Sequence, residues 1–135
     1  MPSTAKEIKE AYEQHVIFLA HRRWEYSHPD CNYRGDEPSN GEQFSLKDLS
    51  GAVLHYFDLS WSDLVGSDLS GAFIYHTVFS GAYLWGASFK NAHLEDVSMI
   101  SASPVQADFS GATINSSSKV LNDGFREKMT RKVTE

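Results

Sequence analysis

The chain has 135 residues, 41% of them apolar, a mean hydropathy of −0.40 and a net charge of −6, which suits one soluble, mildly acidic domain. No apolar run approaches the ~18 residues of a membrane span, and the start lacks the basic residues and apolar core of a signal peptide. The single cysteine, Cys31, excludes an internal disulfide and points to a cytoplasmic setting.

Residues 1–26 are expected to form an amino-terminal helix, running from residue 4 to about 26. Thr4 followed by Glu7 makes a capping-box pattern. Ile8, Tyr12, Val16, Leu19 and Trp24 then step along one face, widened by Phe18 and Ala20. A lone helix of this size is marginal in water, so it is expected to cap the open edge of the domain that follows. The alternative is a helix that docks a partner. Residues 27–41 form a polar linker rich in turn residues. His28 and Cys31 stand at H-x-x-C spacing, but zinc wants four ligands and there is no second cysteine. Nothing marks a group that would activate Cys31 as a nucleophile. No metal, cofactor or catalytic residue is expected.

Residues 42–116 are built on a period of five. From Phe44 to Ile114 every fifth residue is large and apolar in fourteen of fifteen cases, Pro104 being the exception. Two places earlier runs a column of small residues, from Ala52 through Ser62 and Ala72 to Ala112, with Phe57 as its bulky member. Five fits neither the helical period of 3.6 nor the strand period of 2. It works if the chain turns a corner after each unit, so that every unit offers its apolar residue to one shared axis. Words such as Leu69-Ser70-Gly71-Ala72 supply those corners, because Ser and Gly are turn formers. A fixed period of this kind signals a repeat architecture.

The recurring A-(D/N)-L-x-x word resembles the motif of the pentapeptide repeat family, over about 75 of the 135 residues. The resemblance implies a mainly β fold, a right-handed quadrilateral parallel β-helix with four units to a coil. Fifteen units would then make just under four coils, a rod on the order of 18 Å long at ~4.8 Å per coil. Family members that imitate duplex DNA and protect gyrase imply one function: inhibition or protection of a nucleic-acid-processing enzyme. A helical start before such repeats also resembles small phage and prophage proteins, which adds restriction enzymes and CRISPR-type effectors as targets. Fold alone does not carry an activity.

The outward positions must carry whatever the rod does. Eight acids against Lys47 and Lys90 give residues 42–116 a charge of −6, so all of the net charge sits on the rod. Asp48, Asp58, Asp63, Asp68 and Asp108 are the candidate acidic contact residues, and residues twenty apart put Asp48, Asp68 and Asp108 in one column interrupted by Ser88. Duplex DNA carries about one charge per 1.7 Å, roughly ten over such a length, so mimicry would reach about half its density. Direct nucleic-acid binding is disfavoured, because the surface repels phosphate. The plain alternative is that Asp before the central residue only keeps the rod soluble. Tyr56, Trp61, Phe73, Tyr75, Tyr83 and Trp85 make a second candidate surface, since clustered exposed aromatics mark protein contacts. They imply a general protein-interaction module, unless the flanking helices cover them.

Residues 117–135 are expected to form a second helix. Leu121, Phe125 and Met129, with Val133, fall at four-residue steps and would either cap the last coil or pair two chains in a homodimer.

Overall fold

The computed structural model describes residues 1–30, 38, 40–103, 105–115, 118 and the backbone of 132–133. Helix α1 spans Ala5–Ser27, and its start is the expected capping box: Glu7 N–H donates to the Thr4 hydroxyl and Thr4 N–H to the Glu7 carboxylate. The inward face is Ile8, Tyr12, His15 and Leu19, not the expected line through Val16, which is 44% exposed. The reason is angular. At 100° per residue, His15 lies about 20° from the line of Ile8 while Val16 lies about 80° away.

The period of five folds as a four-sided coil. Strands β1 (Val53–His55), β2 (Phe73–Tyr75), β3 (His93–Glu95), β4 (Thr113–Ile114) and β5 (Lys132–Val133) stack in that order as one parallel sheet. Val53, Phe73, His93 and Thr113 are in register, twenty residues apart. The other three sides show the same offset through single bridges: Asp48 to Asp68 to Ser88 to Asp108, Asp58 to Val78 to Ser98, and Asp63 to Tyr83 to Ser103. No helix among the described residues is long and apolar enough to cross a membrane.

The central residues line the axis. From Phe44 to Phe109 those described are at most 2% exposed, and Phe89 stacks on Phe109 with ring centroids 4.8 Å apart. Where the small-residue column is polar, a carbonyl takes up its hydroxyl. Ser62 Oγ donates to Leu59 O, and Thr77 Oγ1 to Leu54 O at 3.0 Å. That satisfies groups whose burial would otherwise cost several kcal/mol.

Every corner from Gly51 to Gly111 places the second residue after the central one at a left-handed φ. Glycine fills six of these thirteen positions; Tyr56, Trp61, His76, Asn91, Asp96, Ser101 and Gln106 fill the rest. A side chain there costs about 1–2 kcal/mol, so each is held by the coils around it.

Helix α1 closes the first coil. Tyr12 stacks on Phe57 at 4.2 Å and its hydroxyl accepts from Asp58 N–H. Phe44 N–H donates to His15 Nδ1 at 2.9 Å. At the other end the helix expected over 117–135 is corrected at Lys132–Val133, which pair with Thr113–Ile114 as β5. An edge strand at β4 needs partners for its outward N–H and C=O groups, and β5 supplies them. The dimerisation stripe Leu121, Phe125 and Met129 lies outside the described residues, as do Cys31 and Pro104.

Candidate interaction site

The acidic positions are corner staples first. Asp48, Asp58, Asp68 and Asp108 each turn Oδ1 back to accept from the N–H and hydroxyl of the serine two residues on; for Asp68 these bonds are 2.9 and 2.6 Å. Asp63 does the same for Val65 N–H at 3.2 Å. The Ser50 hydroxyl, then its N–H, hold the Asp48 carboxyl below its usual range, and Ser110 does the same for Asp108. Much of the charge also has a neighbour of opposite sign. Arg23 reaches Asp58 Oδ2 at 3.2 Å, Lys47 reaches Asp63 at 3.3 Å, and the amino terminus lies 4.0 Å from Asp48. The column Asp48, Asp68, Ser88, Asp108 therefore exists, but with one oxygen of each carboxylate committed to the turn.

The outward face of β1 to β4 is built differently. On β1, β2 and β3 the middle residue points to the axis and its two neighbours point outward. That sets Val53, Phe73 and His93 in one column and His55, Tyr75 and Glu95 in the next. Tyr56, His76 and Asp96 make a third at the following corner, all at left-handed φ. Aromatic and imidazole rings meet one coil apart in every column. Phe73 stacks on His93 at 4.8 Å, Tyr56 on His76 at 4.7 Å, and His55 meets Tyr75 at a tilt, also at 4.7 Å. His76 Nδ1 in turn lies 3.4 Å from Asp96 Oδ2, and Asn115 Nδ2 donates to Asp96 Oδ1. Tyr56 is 74% exposed and Phe73 40%, while Tyr75 is half-buried between its neighbours. The result is a flat, ordered plate of rings with all three histidines of the rod on it. Among the described residues no three metal-binding side chains converge.

The remaining expected residues separate. Trp61 is covered in part by α1: the Arg22 guanidinium sits 4.7 Å over its indole, which spreads over the bare Gly81 backbone one coil on. Tyr83 and Trp85, each 50% exposed, lie on the opposite side beside Val65 and Val105. Among the described residues α1 covers Trp61 in part and leaves Tyr56, Phe73, Tyr83 and Trp85 exposed. The histidines of the plate were readable only as neighbours of the aromatic residues; nothing in their type or spacing marks them.

His15 is the other residue that sequence reasoning missed. It is fully buried under the first coil, and its Nε2 makes no hydrogen bond of ordinary geometry. Burial lowers its pKa below the ordinary 6.5, only partly offset by the nearby Ser60 backbone and Asp58 carboxylate.

Parallel coils of four short sides around a Leu/Phe axis define a right-handed quadrilateral β-helix. The family model for pentapeptide repeats matches residues 48–81 and 77–115, half of the chain, and the chain belongs to that family. No curated protein matches it significantly. Among solved structures it is similar to a pentapeptide repeat protein of the Arabidopsis thaliana thylakoid lumen, 27% identical over 56% of this chain and 58% of that one, TM-score 0.47. A pentapeptide repeat protein of the cyanobacterium Cyanothece is 25% identical over 59% and 55%, TM-score 0.36. HetL of the cyanobacterium Nostoc, involved in heterocyst differentiation regulation, is 20% identical over 54% and 49%, TM-score 0.40. The chain spans about half the length of each.

Proposed function

We propose that this protein is a non-catalytic interaction module that meets a partner protein through the ring-covered face of β1 to β4. The observation that carries this is the set of three columns in which Tyr56 stacks on His76, Phe73 stacks on His93 and Tyr75 meets His55 at a tilt, without cover from α1. Rigid rings on a flat sheet lose little entropy on binding, and Tyr and Phe are favoured at the core of protein interfaces. Strain points the same way. At the corner after this face Tyr56, His76 and Asp96 all sit where glycine would cost nothing. Backbone strain kept where a cheaper residue exists is a mark of use.

The acidic reading, inhibition of a DNA-handling enzyme such as gyrase, a restriction enzyme or a CRISPR-type effector, has one observation in its favour: the unbroken register of Asp48, Asp68, Ser88 and Asp108. It is the weaker reading, because each of those carboxylates already serves its own corner. Photo-crosslinking in the native host separates the two. Benzoylphenylalanine in place of Tyr56 should capture a protein that the same group at Tyr83 or Ser70 does not. His76→Gly, which relieves strain and leaves melting within about 1 kcal/mol, should abolish that capture. Equal adducts from Tyr83, or adducts from Ser70 alone, would move the contact to another side.

A further inference from the structure

Among the described residues the leading edge of the first coil is met on three sides and open on the fourth. Ser3 N–H donates to the Asp48 carbonyl at 2.9 Å on one side, and the Tyr12 hydroxyl accepts from Asp58 N–H at 2.9 Å on another. On the third side Asp63 N–H donates to the Phe44 carbonyl at 2.9 Å. The fourth side is β1. Its bonds to β2 include Phe73 N–H to the Ala52 carbonyl at 2.8 Å and Tyr56 N–H to the Tyr75 carbonyl at 2.9 Å. Residues of a strand alternate sides in such a ladder, so Val53 and His55 turn their N–H and C=O groups away from β2. Among the described residues nothing pairs with those groups. In β2 the equivalent groups of Phe73 and Tyr75 are the ones that hold β1.

Space is left for a partner there. A groove runs along this edge, walled by Ile8 and Lys9 of α1 and by Ala52, Val53 and Phe57 of the coil. Its lining is mainly apolar, and Lys9 on its rim makes no ion pair among the described residues, whereas Lys6 is 3.9 Å from Glu10. Free main-chain donors and acceptors beside an apolar groove are what strand addition uses: backbone bonds for affinity, alternate side chains for specificity.

We propose that the β1 edge accepts an extended segment of a partner protein as an added strand, with an apolar side chain in the Ile8–Phe57 groove and a carboxylate at Lys9. A second copy of this chain fits less well, because two bodies of charge −6 repel. The proposal rests on the β1 to β4 side being the contact side, since outward residues of the added strand would fall in line with the Val53 and His55 columns. An aromatic residue there would stack on His55 from the side that Tyr75 leaves open.

Amide hydrogen exchange tests it. In the free chain Val53 and His55 should exchange as unprotected amides, while Leu54 and Tyr56 are protected. A positional-scanning library of capped pentapeptides, fixed for alternating apolar residues with one acidic position, should slow Val53 and His55 about tenfold or more in its best pools. Val53→Pro removes an edge donor without touching the bonds to β2 and should cancel that protection, with Phe73 still protected as the sign of an intact fold. Protection of Val53 and His55 in dilute free protein, no effect of any pool, or an undiminished effect in Val53→Pro would each overturn the proposal. Protection that grows with protein concentration alone would make the second copy the occupant instead. Loss of the partner in Phe73→Ser but not in Val53→Pro would leave the ring-covered face standing and remove the strand.

Discussion

Single residues here do work that their type alone does not reveal. Asp before the central Leu reads as surface charge, yet Asp68 is spent on the Ser70 N–H and hydroxyl two residues on. His15 reads as a polar residue between helix faces, yet it fills the core where an apolar one was expected. Its burial has a measurable consequence. The folded pKa lies below the ordinary 6.5, so between those two values the unfolded chain binds a proton that the folded chain refuses. The contribution is complete above about pH 6.5 and is lost as pH falls towards the folded value. Denaturant midpoints should therefore drop on acidification through that window, well above the range where Asp48 and Asp108 titrate. His15→Asn keeps an acceptor for Phe44 N–H and should flatten this limb of the curve. An unchanged slope in that variant would assign the titration elsewhere.

Elements follow from the period of five more directly than from any propensity. The inward column, the small column and the twenty-residue register were all legible, because each is a repeat and repetition averages out exceptions. Leu69 illustrates the energetics: it is fully buried mid-ladder, so Leu69→Ala should cost about 2–5 kcal/mol through lost burial and a cavity. Ser70→Ala next to it removes only an exposed turn bond and should cost about 1 kcal/mol or less. Equal losses in the two melts would contradict the inward assignment. What the sequence hid are features decided by a second element. Val16 and His15 stand at helical steps from different neighbours, and the face of α1 that docks, centred on Ile8 and Leu19, takes His15 inward. Trp61 is covered because α1 brings Arg22 over it, and Lys132–Val133 become a strand because β4 presents an edge. The corners keep the same φ with glycine or tyrosine, so side-chain type gave no warning that Tyr56 and His76 are strained.

At the scale of the whole molecule, a rigid solenoid offers each side as a separate surface with its own chemistry. The side of Asp48, Asp68 and Asp108 is acidic but stapled, the side of Tyr83 and Trp85 is apolar, and the side of β1 to β4 carries rings in register next to an open strand edge. Among the described residues only the last combines exposed rings, retained strain and unpaired main-chain groups, so it is the side proposed for the partner. Electrostatic and aromatic contacts differ in their response to salt: exposed charges are screened within about 8 Å at physiological ionic strength, ring burial is not. The most direct measurement is the affinity of the captured partner at low and high salt, for the wild type, for Phe73→Ser, and for Asp48, Asp68 and Asp108 changed together to Asn. The account predicts an affinity nearly independent of salt, lost in Phe73→Ser and kept in the triple variant. An affinity that falls steeply with salt, survives Phe73→Ser and vanishes in the triple variant would contradict it.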